Sequence, residues 1–403
     1  MDTSMTESAT LLNSQLGFLN THVALISFPL ELLPNYQHAI LNLLLHVRHQ
    51  EDGGSDLQPP RPWLYWHPFV NITVTPSECS IICPRAEADT LFVPVRQTLA
   101  PHLKSAVSIS KDDFSVVVIG GAGLEAGQRV LDLSTPLAMA GIPIFFFTSY
   151  WSDYILVPFK MRSRVIRALE ERGFVFEADA DGESGHMTNP ASPLLQPHLN
   201  RSSSQSDFDF PQSPATPPPS TLSDLQARTF KLLSKNKVEP TVDRTIGLVT
   251  CAGVKDSTAS SQKTNFTQGK LELGLVRCLT SEPLPNFFSV TLTDAESASL
   301  TLDKHLLRHF ANDGEDVLLG NVGSDQIAIT LDLKDLPTES TGIVCGVASR
   351  ILDGMKGRVG RELFDMSYLS TAKAGHVIVY EDELEEVLKA LRGMQVNGAS
   401  ADC

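Results

Sequence analysis

Residues 142–159 read IPIFFFTSYWSDYILVPF. Two runs rich in aromatic and β-branched residues are separated only by a short polar turn about Trp151–Ser152. Such runs are strands, and so tight a turn joins antiparallel neighbours, because parallel strands need a crossover of a dozen or more residues. The hairpin therefore rules out an all-parallel, doubly wound sheet. A strand, FSVVVIG (114–120), and a helical pattern, LEAGQRVLDLSTPLAMAG (124–141), precede it. A second helix, KMRSRVIRALEERG (160–173), and a last strand, FVFEA (174–178), follow. Gly141 and Gly173 end the two helices as C′ glycines. The order is βαββαβ, a ferredoxin-like unit with a split βαβ.

The pattern recurs along the 403 residues. HVALISFPLEL (22–32) is a strand, and LPNYQHAILNLLLHVRHQ (33–50) is a helix with apolar residues three and four apart. After the loose stretch EDGGSDLQPPR (51–61) come two strands, WLYWHPFVNITVT (63–75) and CSIICP (79–84). In the second half RTIGLVTCAG (244–253) and LELGLVRCL (271–279) read as strands, with KDSTASSQKTNFTQG (255–269) as a surface loop between them. FFSVTLTDAESASLTLD (287–303) reads as a hairpin, KHLLRHF (304–310) as a short helix and QIAITLDL (326–333) as a strand. A helix over 342–355, a hairpin over 364–381 and a helix over 382–393 close the pattern. Segments 149–169 and 367–391 resemble each other, which points to internal duplication. The fold class expected is α+β, with tandem βαββαβ modules, antiparallel sheets and helices on one face.

From Asp181 the chain turns to Pro, Ser and polar residues, with PQSPATPPPS at 211–220. Such a segment cannot bury enough apolar area to offset its ordering entropy, so a disordered linker is expected. It holds Ser192-Pro, Ser213-Pro and Thr216-Pro, which fit proline-directed phosphorylation and equally the chance content of such a linker. The expected division is a disordered N-terminus (1–16), module 1 (17–110), module 2 (111–180), the linker (181–228), module 3 (229–324), module 4 (325–395) and a tail (396–403).

With 32 Lys and Arg against 47 Asp and Glu, the net charge of −15 argues against nucleic acid or an anionic membrane as partner. No apolar run is long enough to span a bilayer. MDTSMTESATLLNSQ lacks the basic and apolar regions of a signal peptide, so a cytoplasmic setting is expected. The six cysteines, Cys79, Cys83, Cys251, Cys278, Cys345 and Cys403, are scattered, which fits a reducing compartment. Cys79 and Cys83 share one strand face as small hydrophobes, without the second pair or the histidine that a zinc site needs. Neither metal nor cofactor is expected. Asn71-Ile-Thr and Asn265-Phe-Thr match the glycosylation pattern, which counts for little without secretion.

GGAGLEAG (120–127) is a degenerate G-x-G-x-x-G after a strand. A dinucleotide fold would continue into a parallel strand, and a P-loop would carry Lys-Ser or Lys-Thr after the glycines. Neither follows, so nucleotide binding at Gly120–Gly123 is the remote alternative to a turn or a small-ligand loop. No Ser-His-Asp, Cys-His or paired-carboxylate arrangement emerges from the spacing, so no enzyme is expected. His67 reads as a packed or capping histidine, Asp153 as a turn residue, and Lys304, His305 and His309 as a solvated face. Arg162, Arg164 and Arg167 make a basic helix face that is solvated by default and suited to an acidic partner.

WLYWHPF (63–69), TSYWSDYILVP (148–158), STGIV (340–344) and YLSTAKAGHVIV (368–379) together resemble the CASTOR family of cytosolic arginine sensors, from about His22 to Leu391 outside the linker and loops. The resemblance implies four ACT modules and a non-catalytic protein. It implies an amino acid held between modules 2 and 4, whose presence controls binding to a GATOR-type complex upstream of the TOR kinase. By that resemblance the ligand contacts fall at Pro143 and Ile144, at the backbone of Gly342, Ile343 and Val344, and at the lid from Thr371 through Ala372 to Gly375. Glu339 adjoins the family's acidic position, which aligns with Ser340. The family's arginine sensors carry an aspartate where Gly375 stands and an aromatic where Ala372 stands, and Pro143 lacks a hydroxyl. A guanidinium needs a planar carboxylate or carbonyl partner, so a smaller or neutral amino acid, or no ligand at all, is expected in place of arginine. An insertion, ILDGMKGRVGRELF (351–364), also departs from the family. A ligand-free scaffold of ACT modules is the main alternative, and a homodimer is compatible with either.

Overall fold

The computed structural model describes residues 15–45, 66–120, 126–176, 219–254, 261–310, 317–323, 325–356 and 364–393. Module 1 comprises β1 (Gln15–Phe28), α1 (Leu33–Leu45), β2 (Val70–Val74), β3 (Cys79–Pro84), the short helices α2 (Arg85–Glu87), α3 (Val93–Thr98) and α4 (Pro101–Ala106), and β4 (Ser108–Ile109). Module 2 comprises β5 (Phe114–Gly120), α5 (Ala126–Met139), β6 (Phe145–Thr148), β7 (Asp153–Pro158), α6 (Arg162–Glu170) and β8 (Val175–Phe176). Helix α7 (Leu222–Lys235) and β9 (Pro240–Val242) come next. Module 3 has β10 (Leu248–Gly253), α8 (Ser261–Thr280), β11 (Phe288–Leu292), β12 (Ser299–Asp303) and β13 (Leu318–Leu319). Module 4 has β14 (Gln326–Asp332), α9 (Ile343–Met355), β15 (Ser367–Ser370), β16 (Ala374–Tyr380) and α10 (Leu384–Arg392).

Among the described residues the strands form one sheet, ordered β13-β10-β12-β11-β2-β3-β1-β5-β7-β6-β15-β16-β14-β9. Modules 1 and 3 meet through β2 and β11, and modules 2 and 4 through β6 and β15. The long strand β1 joins the two halves. Its start pairs with β5 (Leu16↔Ile119) and its end with β3 (Ile26↔Ile81), with a register shift between Phe18 and His22. A single bridge, Leu248↔Gln326, brings β10 back against β14.

Period-two alternation explains the layers. Ile26, Ile72, Ile81, Val249 and Val290 pack under α1 and α8 in one core. Val117, Ile155, Ile329 and Val377 pack under α5, α9 and α10 in a second. Residues of opposite parity, including Leu25, Ile82, Val116, Phe147, Leu156 and Ile378, meet in a third core between the two halves of the sheet. The result is four layers, helix–sheet–sheet–helix, with strands buried on both faces. Each large side chain so buried contributes about 1.5–3 kcal/mol.

Several expectations need correction. LELGLVRCL is the C-terminal half of α8, not a strand: Leu271, Leu275, Cys278 and Leu279 recur at helical spacing and are buried together. The loop expected at 255–269 is helical from Ser261. The linker expected to reach 228 ends earlier, because α7 begins at Leu222 behind Thr221, whose side chain accepts from Asp224 N at 3.1 Å. Leu225, Thr229 and Leu233 bury one face of α7, and β9 pairs with β14. Residues 229–242, expected in module 3, therefore pack on module 4. Residues 85–106, for which no element was expected, hold the short helices. The N-terminus to residue 14, the linker to residue 218 and the tail from residue 394 lie outside the described residues. No helix among the described residues is long and apolar enough to cross a membrane.

Candidate functional site

The two seams between modules differ. Strands β2 and β11 pair over five residues, from Val70↔Leu292 to Val74↔Phe288. A buried ladder backs them: Asn71 Nδ2 donates to Thr291 Oγ1 at 3.1 Å, and Thr73 and Ser289 hydroxyls lie 2.8 Å apart. Asn71 is thus a seam residue, buried to 1% exposure, and not a glycan acceptor. Strands β6 and β15 share only Leu369↔Phe147. Side-chain hydroxyls replace the missing ladder: Phe146 N donates to Ser370 Oγ at 2.9 Å and Tyr368 N to Thr148 Oγ1 at 3.1 Å. Helices α5 and α9 pack across this looser seam, with Thr135 Oγ1 3.4 Å from Cys345 Sγ.

A cavity of about 60 Å³ opens where β6 and β15 part, at the N-terminus of α9. Ile144, Gly342, Ile343, Val344, Thr371 and Ala372 line it, so the structure brings six of the expected ligand contacts together. Pro143, Glu339 and Gly375 are not among its walls; Glu339 is exposed on the loop before α9. Gly342 caps α9 with φ 80°, a left-handed conformation that glycine adopts without strain. Its carbonyl accepts from Gly346 N at 2.8 Å and from Thr229 Oγ1 at 3.0 Å. The first amides of α9 have no intrahelical acceptor, and with the helix dipole they suit a carboxylate. Thr338, Ser340, Tyr368, Ser370 and Thr371 bring hydroxyl-bearing residues to the walls, and no acidic, basic or imidazole side chain is among the lining residues.

Gly375 has its own reason. A Cβ there would overlap the Tyr368 hydroxyl, so glycine at 375 and tyrosine at 368 go together. Burial pushes the Tyr368 phenol pKa up, which keeps it protonated.

The lid turn, Thr371 to Ala374, is held from module 1 by a residue that sequence reasoning missed. Glu78, in the β2–β3 turn, is fully buried. Its carboxylate accepts from Thr371 Oγ1 at 2.6 Å, Lys373 N at 2.9 Å and Ser27 Oγ at 2.6 Å. Ala372 N donates to Ser80 Oγ at 3.2 Å. Module 3 repeats the device on module 2. Glu296, in the β11–β12 turn, accepts from Ser152 Oγ and from Tyr154 Oη at 2.8 Å, and Tyr150 N donates to Ser299 Oγ at 2.8 Å. Both glutamates stand three residues after a threonine whose hydroxyl accepts from their backbone N–H. The repeated T-x-x-E, TPSE (75–78) and TDAE (293–296), is the sequence signal that could have found them.

The remaining singled-out residues have structural roles. His67 Nε2 lies 3.1 Å from Leu44 O, capping the end of α1 as expected. Asp153 opens β7, buried, and accepts from Arg129 Nε at 2.8 Å; burial raises its pKa and Arg129 opposes the rise. Arg162 stacks 4.2 Å from the Phe18 ring centroid, Arg164 donates to Ala140 O at 2.6 Å, and Arg167 is exposed. Lys304 pairs with Asp325, and His305 is exposed, but His309 Nε2 is buried, so that face is only partly solvated. Cys79 and Cys83 lie in the same core, with pKa values raised by burial. Of the glycine loop, Gly120 is exposed at the end of β5 and Gly127 is buried in the first turn of α5; residues 121–125 lie outside the described residues.

Residues 109–171, from the end of β4 through α6, match the family model of the ACT domain. The chain carries an ACT domain in this segment. No curated protein matches it. Among solved structures, the regulatory subunit of aspartate kinase from Thermus thermophilus is 18% identical, with 38% of this chain and 95% of that one covered and a TM-score of 0.24. Aspartate kinase from Synechocystis is 11% identical over 94% of this chain and 55% of its own, with a TM-score of 0.32. A protein from Agrobacterium tumefaciens is 20% identical, with 41% and 94% covered and a TM-score of 0.26.

Proposed function

We propose that this chain is a non-catalytic regulatory protein that holds a small neutral amino acid between modules 2 and 4. The observation that carries the proposal is the cavity at the start of α9, where the loose β6–β15 seam, free helix amides and hydroxyl-bearing residues converge. The ligand carboxylate takes the amides of Ile343 and Val344, its ammonium faces hydroxyls and carbonyls, and a short side chain lies against Ile144, Leu336 and Val344. Arginine does not suit this site, because no carboxylate lines it and it is small. A ligand bridging both modules stabilises their docked arrangement, and a partner that prefers one arrangement responds to it. By the resemblance to CASTOR sensors, the partner proposed is a GATOR-type complex and the setting proposed is TOR-pathway nutrient signalling in the cytoplasm.

A second reading, a ligand-free scaffold, is favoured by the cavity's size: about 60 Å³ lies below the roughly 300–1,000 Å³ of most ligand sites. Calorimetry with the full chain separates the two. The sensor binds alanine, serine or valine more tightly than arginine, and Ile144→Phe, which fills the cavity, abolishes the heat. A scaffold gives no heat with any of them, and heat with ATP alone would revive a nucleotide site at Gly120–Gly123.

A further inference from the structure

A larger cleft, about 370 Å³, lies at the edge of the layer between the two halves of the sheet. Its volume falls within the range of small-molecule sites. Its floor is buried and mostly apolar: Ile246, Phe287, Ala374 and His376. Its exposed rim carries two carboxylates, Asp243 after β9 and Asp332 at the end of β14, and no cation is among its lining residues. Asp243 Oδ1 is held by Thr245 N at 2.9 Å and Thr245 Oγ1 at 2.6 Å, and Asp332 pairs with the exposed Lys334 at 2.8 Å.

His376 is 1% exposed. Its Nδ1 lies 3.0 Å from Thr330 Oγ1 and its ring meets Phe287 edge-on at 5.5 Å. Its Nε2 is buried with no partner. Buried polar atoms are nearly always satisfied, so an orphan on a cleft wall points to something that completes it. Burial lowers the His376 pKa to about 4, so the imidazole adds no positive charge near neutral pH.

We propose that this cleft is a second small-molecule site, which takes a compact apolar body bearing an amine, with the amine toward the rim carboxylates and a ligand donor at His376 Nε2. A donor there selects the tautomer in which Nδ1–H donates to Thr330 Oγ1. Anionic ligands are excluded by the rim. The site stands apart from the α9 cavity but touches it mechanically. Ala374 lines both, and the cleft's third wall, Thr75 to Ser77, belongs to the turn whose Glu78 holds Thr371 and Lys373. Occupancy of the cleft therefore bears on the lid turn.

The probe is benzylamine, with benzoate as the opposite-charge control, added to the full chain labelled with ¹⁵N at its histidine rings. Benzylamine is expected to shift the Nε2 resonance of His376 saturably and to raise Tm, while benzoate does neither. Asp243→Asn combined with Asp332→Asn, on the exposed rim, is expected to weaken benzylamine about tenfold. Ala328→Phe, which places a phenyl ring in the cleft, should remove the response. No shift of the His376 resonance in the wild-type chain, an equal response to benzoate, or a response that survives Ala328→Phe overturns the proposal. The resonance is read without any variant, and alanine binding at the α9 cavity does not enter the result.

Discussion

The two most consequential residues carry buried polar groups. Glu78 satisfies three donors from two segments of chain, β1 and the lid turn, so its loss orphans them together. Each orphaned buried donor costs about 1–3 kcal/mol. Glu78→Ala is expected to destabilise the chain by at least about 2 kcal/mol in urea unfolding, and to weaken ligand binding at the α9 cavity beyond what Ser27→Ala does. His376 behaves oppositely to an ion-paired residue. Its folded pKa, lowered by burial to about 4, lies below the ordinary 6.5, so the unfolded chain binds a proton that the folded one refuses. Its contribution is intact above the unfolded pKa and is lost as pH falls through the window between the two values. Stability should drop by about 2 kcal/mol between about pH 7 and pH 5 through this group, and His376→Gln should flatten that part of the profile. Gly342 was singled out only through the family resemblance, as a backbone ligand contact where a helix starts; its left-handed cap geometry emerged from the structure. Gly375 was visible only as a departure; its cause, the Tyr368 hydroxyl across the hairpin, lies in a contact that spacing does not reveal.

At the level of elements, the β-hairpins and most helices were legible because alternation and three-four periodicity are local signals. Helix α8 was not, because Leu271, Leu273 and Leu275 alternate with Glu272 and Gly274 and so imitate a strand over a short run, which periodicity alone does not separate from helix. Helix α7 was hidden by its neighbourhood: it begins two residues after the PPPS that ends the Pro-rich stretch. Its importance lies in Thr229, which sits against Gly342 and Gly346, two glycines one helical turn apart on α9. A Cβ at Gly346 would come within 2.8 Å of Thr229 Cβ, closer than packed side chains stand. Gly346→Ala is expected to lower stability by about 1–3 kcal/mol by overpacking, measured by denaturant unfolding, although alanine favours helix. An unchanged or raised midpoint would mean that α7 does not dock there.

Over the whole molecule, the modules pair in two ways that their sequences do not announce. The β2–β11 seam is a continuous ladder with a buried polar rung, and the β6–β15 seam is one bridge eked out by hydroxyls. Reciprocal glutamates tie each seam to the other, Glu78 to module 4 and Glu296 to module 2. Repetition of the βαββαβ order was readable from the chain, and so were six of the residues that line the α9 cavity. The pairing of the modules, the latches and the second cleft were not, because they depend on contacts between segments distant in the chain; the latches alone join residues 142 (Tyr154 and Glu296) to 295 (Lys373 and Glu78) positions apart. On the proposed reading, the 2–4 seam, held by one bridge, is where a small ligand adds most to the docking of the modules.

The most direct test is a thermal-shift titration of the full chain with each of the twenty amino acids. A ligand at about 100 times its Kd stabilises by about 2.7 kcal/mol. We expect a raised Tm with one or more small neutral amino acids, a smaller shift or none with arginine, and loss of the response in Ile144→Phe. A larger shift with arginine, or no shift with any amino acid, would contradict a neutral amino-acid sensor.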